Sequence, residues 1–426
     1  MQPRRSPRIA LLLAALVLVG GCGGGGPSGG SAAATPTPAA SPTWVTGYYP
    51  AYATDTMPIA AIPWGSLTHV IHFALVPNTD GTLADPDGLL GQSGALVGAG
   101  HQAGVKVLLG VGGDESVHAP EGFRASTQDA LRGLFVQNIV EAMAAGGYDG
   151  LDVNWESLQF PEDTAPFQAF IRDLRQALDA HAPPTHYLLT YPAGTASDYT
   201  NFGNHGALVA PIQDLFDQIN LQTYGMGGPF PGWVTWHNSP VEAGSCRFAT
   251  TGGPPPSIDS TVHAFLSAGV LKSRLGIGME LVGVDWVGGS GTTTGGVTKP
   301  CQAWDYSAVK PDGSGQDIGA PSYSGGWNFV NVSDIIRSYT PANGFSAAVD
   351  KQAEVPYLSK DLPGSANDHF VSYEDTPSVQ AKAAYLKAQG LGGTIVFEIT
   401  EDYMAERPPG DPQHPLMSAI RDAFLR

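Results

Sequence analysis

Eight short runs rich in β-branched and aromatic residues recur along the chain: Val45–Tyr49, Leu67–Ala74, Val105–Val111, Tyr148–Trp155, Tyr187–Tyr191, Gln218–Tyr224, Leu275–Met279 and Gly393–Ile399. Helical periodicity lies between several of them, at Thr127–Ala145, Ala165–His181, Ser257–Ala268 and Ser378–Gln389. Strands alternating with helices pair in parallel, because each crossover carries the chain back to the same edge. Eight such units predict an α/β fold, a (β/α)8 TIM barrel. More than one crossover helix fits between the seventh and eighth runs. A small α+β insertion subdomain is therefore expected at about 287–373, with short antiparallel strands near Ala347–Tyr357 and His369–Tyr373.

The amino terminus differs from the rest. Arg4, Arg5 and Arg8 precede an apolar run, Ile9–Val19, too short for a bilayer-spanning helix, and Gly20-Gly21-Cys22 follows. This resembles a bacterial lipoprotein signal, with cleavage after residue 21 and lipid attached at Cys22. Residues 22–43 are dominated by Gly, Ser, Ala, Thr and Pro and read as a flexible tether. The folded part is expected over 44–426, exported and held at a membrane, periplasmic or at the cell surface, as a monomer.

The formal net charge is −18, and removal of residues 1–21 takes away three arginines and no acids. Nucleic acid is excluded as a partner, since phosphate contacts need clustered Lys and Arg. A neutral or cationic substrate is compatible. Beyond Cys22 only Cys246 and Cys301 remain, and in an exported chain the two are expected to pair. The eleven histidines show no metal-ligand spacing, and neither metal nor cofactor is expected. Gly110-Val-Gly112-Gly113 lacks the third glycine of a dinucleotide loop. Gly91-Gln-Ser93-Gly94 lacks the second glycine of a serine-hydrolase elbow.

The chemistry is concentrated in Asp149-Gly150-Leu151-Asp152-Val153-Asn154-Trp155-Glu156. Side chains alternate along a strand, so Asp152, Asn154 and Glu156 share one face. In a barrel, catalytic groups sit at the carboxyl ends of strands, which is where Glu156 falls. A carboxylic acid there, beside apolar neighbours, suits proton donation to a glycosidic oxygen. Most glycosidases add a second carboxylate nearby. The next residue on the same face is Asn154, about 6.7 Å away along a strand, and an amide is no covalent nucleophile. Asp152 lies about 13 Å deeper. A substrate bringing its own nucleophile, the carbonyl oxygen of a 2-acetamido group, resolves the shortage.

The octapeptide resembles the signature of glycoside hydrolase family 18, Asp-Gly-apolar-Asp-apolar-Asp-any-Glu. Val45-Thr-Gly-Tyr48-Tyr49-Pro50, Leu67-Thr-His-Val-Ile-His72-Phe73-Ala74, the third run with Gly112-Gly113, Ile219-Asn220-Leu221-Gln222-Thr223-Tyr224, Val355-Pro356-Tyr357 and Gly390-Leu391-Gly392-Gly393 are similar to further family segments, in order. The resemblance implies a barrel that cleaves β-1,4-linked N-acetylglucosamine polymers, chiefly chitin, with retention. Chitin or N-acetylglucosamine oligosaccharides are then the expected partner. It also implies roles. Glu156 is the acid and later the base, Asp152 a deeper electrostatic partner, Tyr224 the donor to the acetamido oxygen, and Asn154 stands where an acidic residue normally orients the acetamido N–H. Tyr49, Phe73, Gln222, Trp236, Glu280 and Phe397 are candidate substrate contacts.

The chain departs from the pattern at several points. Asn154 replaces a carboxylate, Gly225 follows Tyr224 where many members have Asp, Asp114 stands where a stacking Trp is common, Phe397 takes the place of another Trp, and Glu280–Gly283 does not resemble the usual Tyr-Gly-Arg. Trp233, Trp236, Trp286, Trp304 and Trp327 either line a sugar cleft or pack internally. The alternatives to a chitinase-like enzyme are an oligosaccharide-binding, lectin-like lipoprotein with weak or no activity, and an endo-N-acetylglucosaminidase acting on glycans or peptidoglycan.

Overall fold

The computed structural model describes residues 43–113, 121–194, 201–228, 232–288, 296–304, 326–364, 368–408 and 412–426, with backbone alone for 326–328. The expected signal, Cys22, nearly all of the tether, Asp114 and the Trp327 side chain lie outside the described residues. Among the described residues no helix is long and apolar enough to cross a membrane.

Eight strands close a barrel: β1 (Trp44–Pro50), β2 (His69–Pro77), β4 (Lys106–Gly113), β5 (Gly150–Trp155), β6 (Leu188–Ala193), β7 (Gln218–Leu221), β8 (Leu275–Glu280) and β14 (Gly393–Phe397). All neighbours are parallel, and β14 pairs with β1 to complete the circle. A two-residue strand, β3 (Leu83–Ala84), pairs antiparallel with the end of β2. This is the expected (β/α)8 architecture.

Helices Leu89–Gln102, Arg132–Gly146, Thr164–His181, Phe202–Val209, Ile258–Ser267, Thr376–Gln389 and Pro415–Phe424 surround the barrel. Sequence pattern missed Leu89–Gln102 because four glycines interrupt its apolar stripe. One of them, Gly100, lets the helix approach β4, since a Cβ there would stand 2.4 Å from Val107 Cγ2. Helix starts follow local chemistry: the Ser257 and Asp375 side chains accept from the backbone N–H of Ser260 and Ser378. Outward side chains of the strands and inward faces of the helices form one continuous apolar layer.

Between β8 and β14 lie β9 (Val282–Val287), β10 (Gly326–Asn331), β11 (Ser346–Asp350), β12 (Val355–Lys360) and β13 (His369–Ser372), with helix Val332–Ser338. These strands form a separate antiparallel sheet in the order β10-β9-β13-β12-β11. The insertion thus begins at Val282 and not near 287, because Leu281 alone separates barrel strand from insertion strand. Its core is aromatic: Trp286 and Trp304 meet edge-on at 5.0 Å. Cys246, in the long loop after β7, is disulfide-bonded to Cys301 of the insertion.

Candidate active site

On β5 the alternation places Leu151, Val153 and Trp155 in the layer under the helices, with Trp155 stacked on Phe123 at 5.1 Å. Asp152 and Asn154 point into the barrel and are buried, and Glu156 follows the last strand residue at the mouth, partly exposed. Their room comes from β4, where Gly110 and Gly112 stand in register with Asp152 and Asn154. A Cβ at Gly112, whose φ is 111°, would lie 2.1 Å from the Asn154 carbonyl oxygen. No L side chain fits there.

Asp152 accepts from Tyr48 Oη at 3.1 Å and from Thr190 Oγ1 at 2.5 Å. Burial nevertheless pushes its carboxyl up to about 7; the two donors pull against the shift, and the Glu156 charge adds to it. Glu156 Oε1 accepts from Gln222 Nε2 at 3.3 Å. Asn154 Oδ1 is buried with no hydrogen-bond partner among the described residues, an acceptor suited to a ligand N–H.

Tyr224 lies three residues past the end of β7. Burial, then the charges of Glu280 and Glu156, hold its hydroxyl protonated well above the ordinary tyrosine value, so it stays a donor. Its ring stacks on Phe397 at 6.0 Å and lies against β8, where a Cβ on Gly278 would come within 2.8 Å of it. Phe397 also meets Tyr48 at 5.5 Å and Phe73 at 6.1 Å. These rings make an aromatic wall around the carboxylates, suited to the apolar faces of sugar rings.

Glu280, the last residue of β8, is in register with Phe397 and is buried. Burial raises its carboxyl to about 7, with Glu374 and Glu398 adding to the shift and Asn238 opposing it. Asn238 Nδ2 donates to Glu280 Oε2 at 3.0 Å, and Asn238 Oδ1 accepts from the Gly225 backbone N–H at 2.9 Å.

Of the expected site residues, Asp152, Asn154, Glu156, Tyr224, Phe73, Gln222, Glu280 and Phe397 converge at one end of the barrel. Two do not. Tyr49 faces outward: its ring is buried between barrel and helices and its hydroxyl donates to the Met57 carbonyl at 2.7 Å. Trp236 is buried in a satellite core with Val234, Cys246 and Phe248, its Nε1 donating to the Pro256 carbonyl. Trp233 packs on Phe248 at 4.9 Å in the same cluster. Sequence reading missed Tyr48, Thr190 and Asn238. The signal for Tyr48 was present: Trp44, Thr46 and Tyr48 alternate inward, where Trp44 Nε1 meets Asn220 Oδ1 and Thr46 Oγ1 meets Gln218 Oε1. Nothing local marked Asn238, which lies in a loop and reaches the site only through tertiary folding.

Comparison with known proteins agrees with this geometry. The family model for glycosyl hydrolases family 18 matches residues 45–402. Chitinase A1 of Niallia circulans is 27% identical over 290 residues, 64% of this chain and 37% of that protein, so this chain spans well under half of that relative's length. Chitinase ChiA74 from Bacillus thuringiensis shares the fold at TM-score 0.72 and 21% identity, covering 90% of this chain and 70% of that one. Human YKL-39, described as a pseudo-chitinase with retained chitooligosaccharide binding, shares it at TM-score 0.69 and 19% identity, covering 90% of this chain and all of that one.

Proposed function

This chain belongs to glycosyl hydrolases family 18, and we propose that it hydrolyses β-1,4 bonds of chitin or N-acetylglucosamine oligosaccharides with retention, the substrate's own acetamido group serving as nucleophile. The observation that carries this reading is the inner face of β5. A carboxyl group, Glu156, stands at the mouth, and the position next to it on that face holds an amide, Asn154, with a buried free acceptor. The strand offers an acid and no adjacent carboxylate nucleophile.

The steps follow from these groups. Glu156 gives its proton to the glycosidic oxygen as the bond from C1 to that oxygen breaks. The acetamido carbonyl oxygen bonds to C1 and the positive charge passes to the acetamido group, giving an oxazolinium. Tyr224 donates to that oxygen and Asn154 Oδ1 accepts the acetamido N–H. Water then attacks C1, its proton returns to Glu156, and the ring opens to restore the acetamido group on a sugar of unchanged anomeric configuration. Asp152, near its own titration point and tied to Tyr48, tunes the charge below Glu156.

Asn154 also favours a second reading, an oligosaccharide binder with little turnover, because it brings no charge to the cation. Retention of Glu156 supports the enzyme. We extend the proposal to export and lipid attachment at Cys22, which the residues Arg4 to Cys22 support. The deciding experiment is incubation with chitin oligomers, with products followed by mass spectrometry beside Glu156→Gln. Cleavage that depends on Glu156 is expected; sugar binding without it establishes the binder.

A further inference from the structure

The oxazolinium carries a full positive charge in a site walled by aromatic rings, where a fixed counter-charge is worth far more than in water. The β5 position beside the acid cannot supply it, since residue 154 is an amide. The residue after Tyr224 cannot either, since it is Gly225. Asp152 sits a layer below, engaged with Tyr48 and Thr190. Glu156 is a carboxylate once its proton is given, but it stays at the leaving oxygen and then takes the proton of the incoming water.

We infer that Glu280 on β8 supplies the negative charge facing the cationic intermediate, and that Asn238 holds its carboxylate in place. This rests on the hydrolytic reading above and names the group which that reading lacks.

Three features of β8 carry the inference. First, its inward positions are Gly276, Gly278 and Glu280, while Leu275, Ile277 and Met279 face the outer core. Two glycines in succession leave space inside the barrel that the Tyr224 ring occupies at Gly278. The next inward side chain toward the mouth is Glu280, in register with Phe397, the ring on which Tyr224 stacks. Glu280 is also the strongest charge acting on Tyr224, ahead of Glu156.

Second, the carboxylate is held. Asn238 Nδ2 donates to Glu280 Oε2 at 3.0 Å and to the Val282 carbonyl at 3.3 Å. Asn238 Oδ1 accepts from Gly225 N–H at 2.9 Å, and Asn238 N–H donates to Ser372 Oγ of the insertion at 3.0 Å. The same side chain therefore ties the Tyr224 loop to β8. The backbone N–H of Gly225, beside Tyr224, is bound to the very amide that orients Glu280.

Third, Glu280 is 8% exposed, and among the described residues no lysine, arginine or histidine pairs with it. A buried carboxylate without a cation is costly. The cost falls when a cation forms beside it, which happens in this reaction only on the path through the intermediate. That is stabilisation of the transition state in preference to the bound substrate.

The test is steady-state kinetics of the full chain on a chitin oligomer. Glu280→Gln keeps a carbonyl oxygen for Asn238 and removes the charge. The expected result is a fall in kcat of about 100-fold with KM within about threefold. Gly225→Asp or Asn154→Asp in the Glu280→Gln background is expected to raise kcat at least about tenfold, more than the several-fold gain of the same substitution with Glu280 present, an excess that a structural role for Glu280 would not give. Unchanged kcat in Glu280→Gln, or a loss that neither added carboxylate rescues, overturns the inference. Should Glu280→Gln fail to fold, Glu280→Ala and Glu280→Asp decide: a kcat lost in Glu280→Ala and largely kept in Glu280→Asp supports the assignment, and an equal kcat in the two overturns it. No cleavage by the wild type overturns the hydrolytic reading and this one together, whereas cleavage insensitive to Glu280 overturns this one alone.

Discussion

Tyr48 donates its hydroxyl across the barrel to Asp152 at 3.1 Å, while its neighbour Tyr49 turns outward to the Met57 carbonyl. The pair divides two jobs: one ring belongs to the inner cluster around Asp152, the other to the outer packing. Tyr48→Phe leaves Asp152 a single side-chain donor, Thr190, and is expected to raise the Asp152 titration point above about 7. The pH dependence of kcat should move to higher pH in the variant, and an unmoved profile would show that Asp152 does not titrate during turnover.

Burial raises Asp152 from an ordinary carboxyl value near about 4 in the unfolded chain to about 7 in the fold. A group raised on folding stabilises the protein most below its unfolded value, and that contribution is lost as pH climbs toward its folded value. Asp152→Asn, which retains an acceptor for Tyr48, is expected to match the wild type near pH 4 and to exceed it at pH 8. The gain has an upper bound on the order of 4 kcal/mol. Thermal unfolding at the two pH values measures the difference.

Glu156→Gln removes the transferable proton and leaves a partly exposed mouth residue otherwise in place. Turnover of a chito-oligosaccharide should fall by about 100- to 10,000-fold, with unfolding temperature unchanged. Equal activity in wild type and variant would remove Glu156 from the mechanism.

Asn154→Asp is expected to raise turnover several-fold by adding charge next to the cation, and to lower stability by about 1–3 kcal/mol, because the buried oxygen there has no donor among the described residues. Unchanged or lower turnover would count against a role for position 154 in charge stabilisation.

Trp236 and Phe397 separate packing from recognition. Trp236→Ala empties the satellite core around Cys246 and is expected to cost about 3–5 kcal/mol of stability with KM unaltered. Phe397→Ala opens the aromatic wall and is expected to raise KM about tenfold with a smaller stability loss. The reverse pattern in titrations and melts would place Trp236 in the cleft. Replacing Cys246 with alanine opens a link across 55 residues and should cost up to about 4 kcal/mol.

Local pattern alone determined the barrel, its strand count and the presence of an insertion before the last strand, and it singled out β5 as the strand with a polar inner face. These follow from short-range rules: parallel pairing of alternating units, two-residue periodicity along a strand, and a polar face at a strand end. It erred where a one-residue phase or a long-range contact decides. Tyr48 and Tyr49 are indistinguishable by composition, and strand phase gives one to the barrel interior and the other to the core. Trp236 looked like a sugar platform because a large aromatic in a loop is ambiguous until its surroundings are known; Pro256, Phe248 and the Cys246–Cys301 bond bury it. Asn238 gave no signal, since its partners Gly225, Glu280 and Ser372 come from three separate elements. Only the closed barrel with its insertion brings them together, and the charge on Glu280 acquires its place beside Tyr224 from that closure.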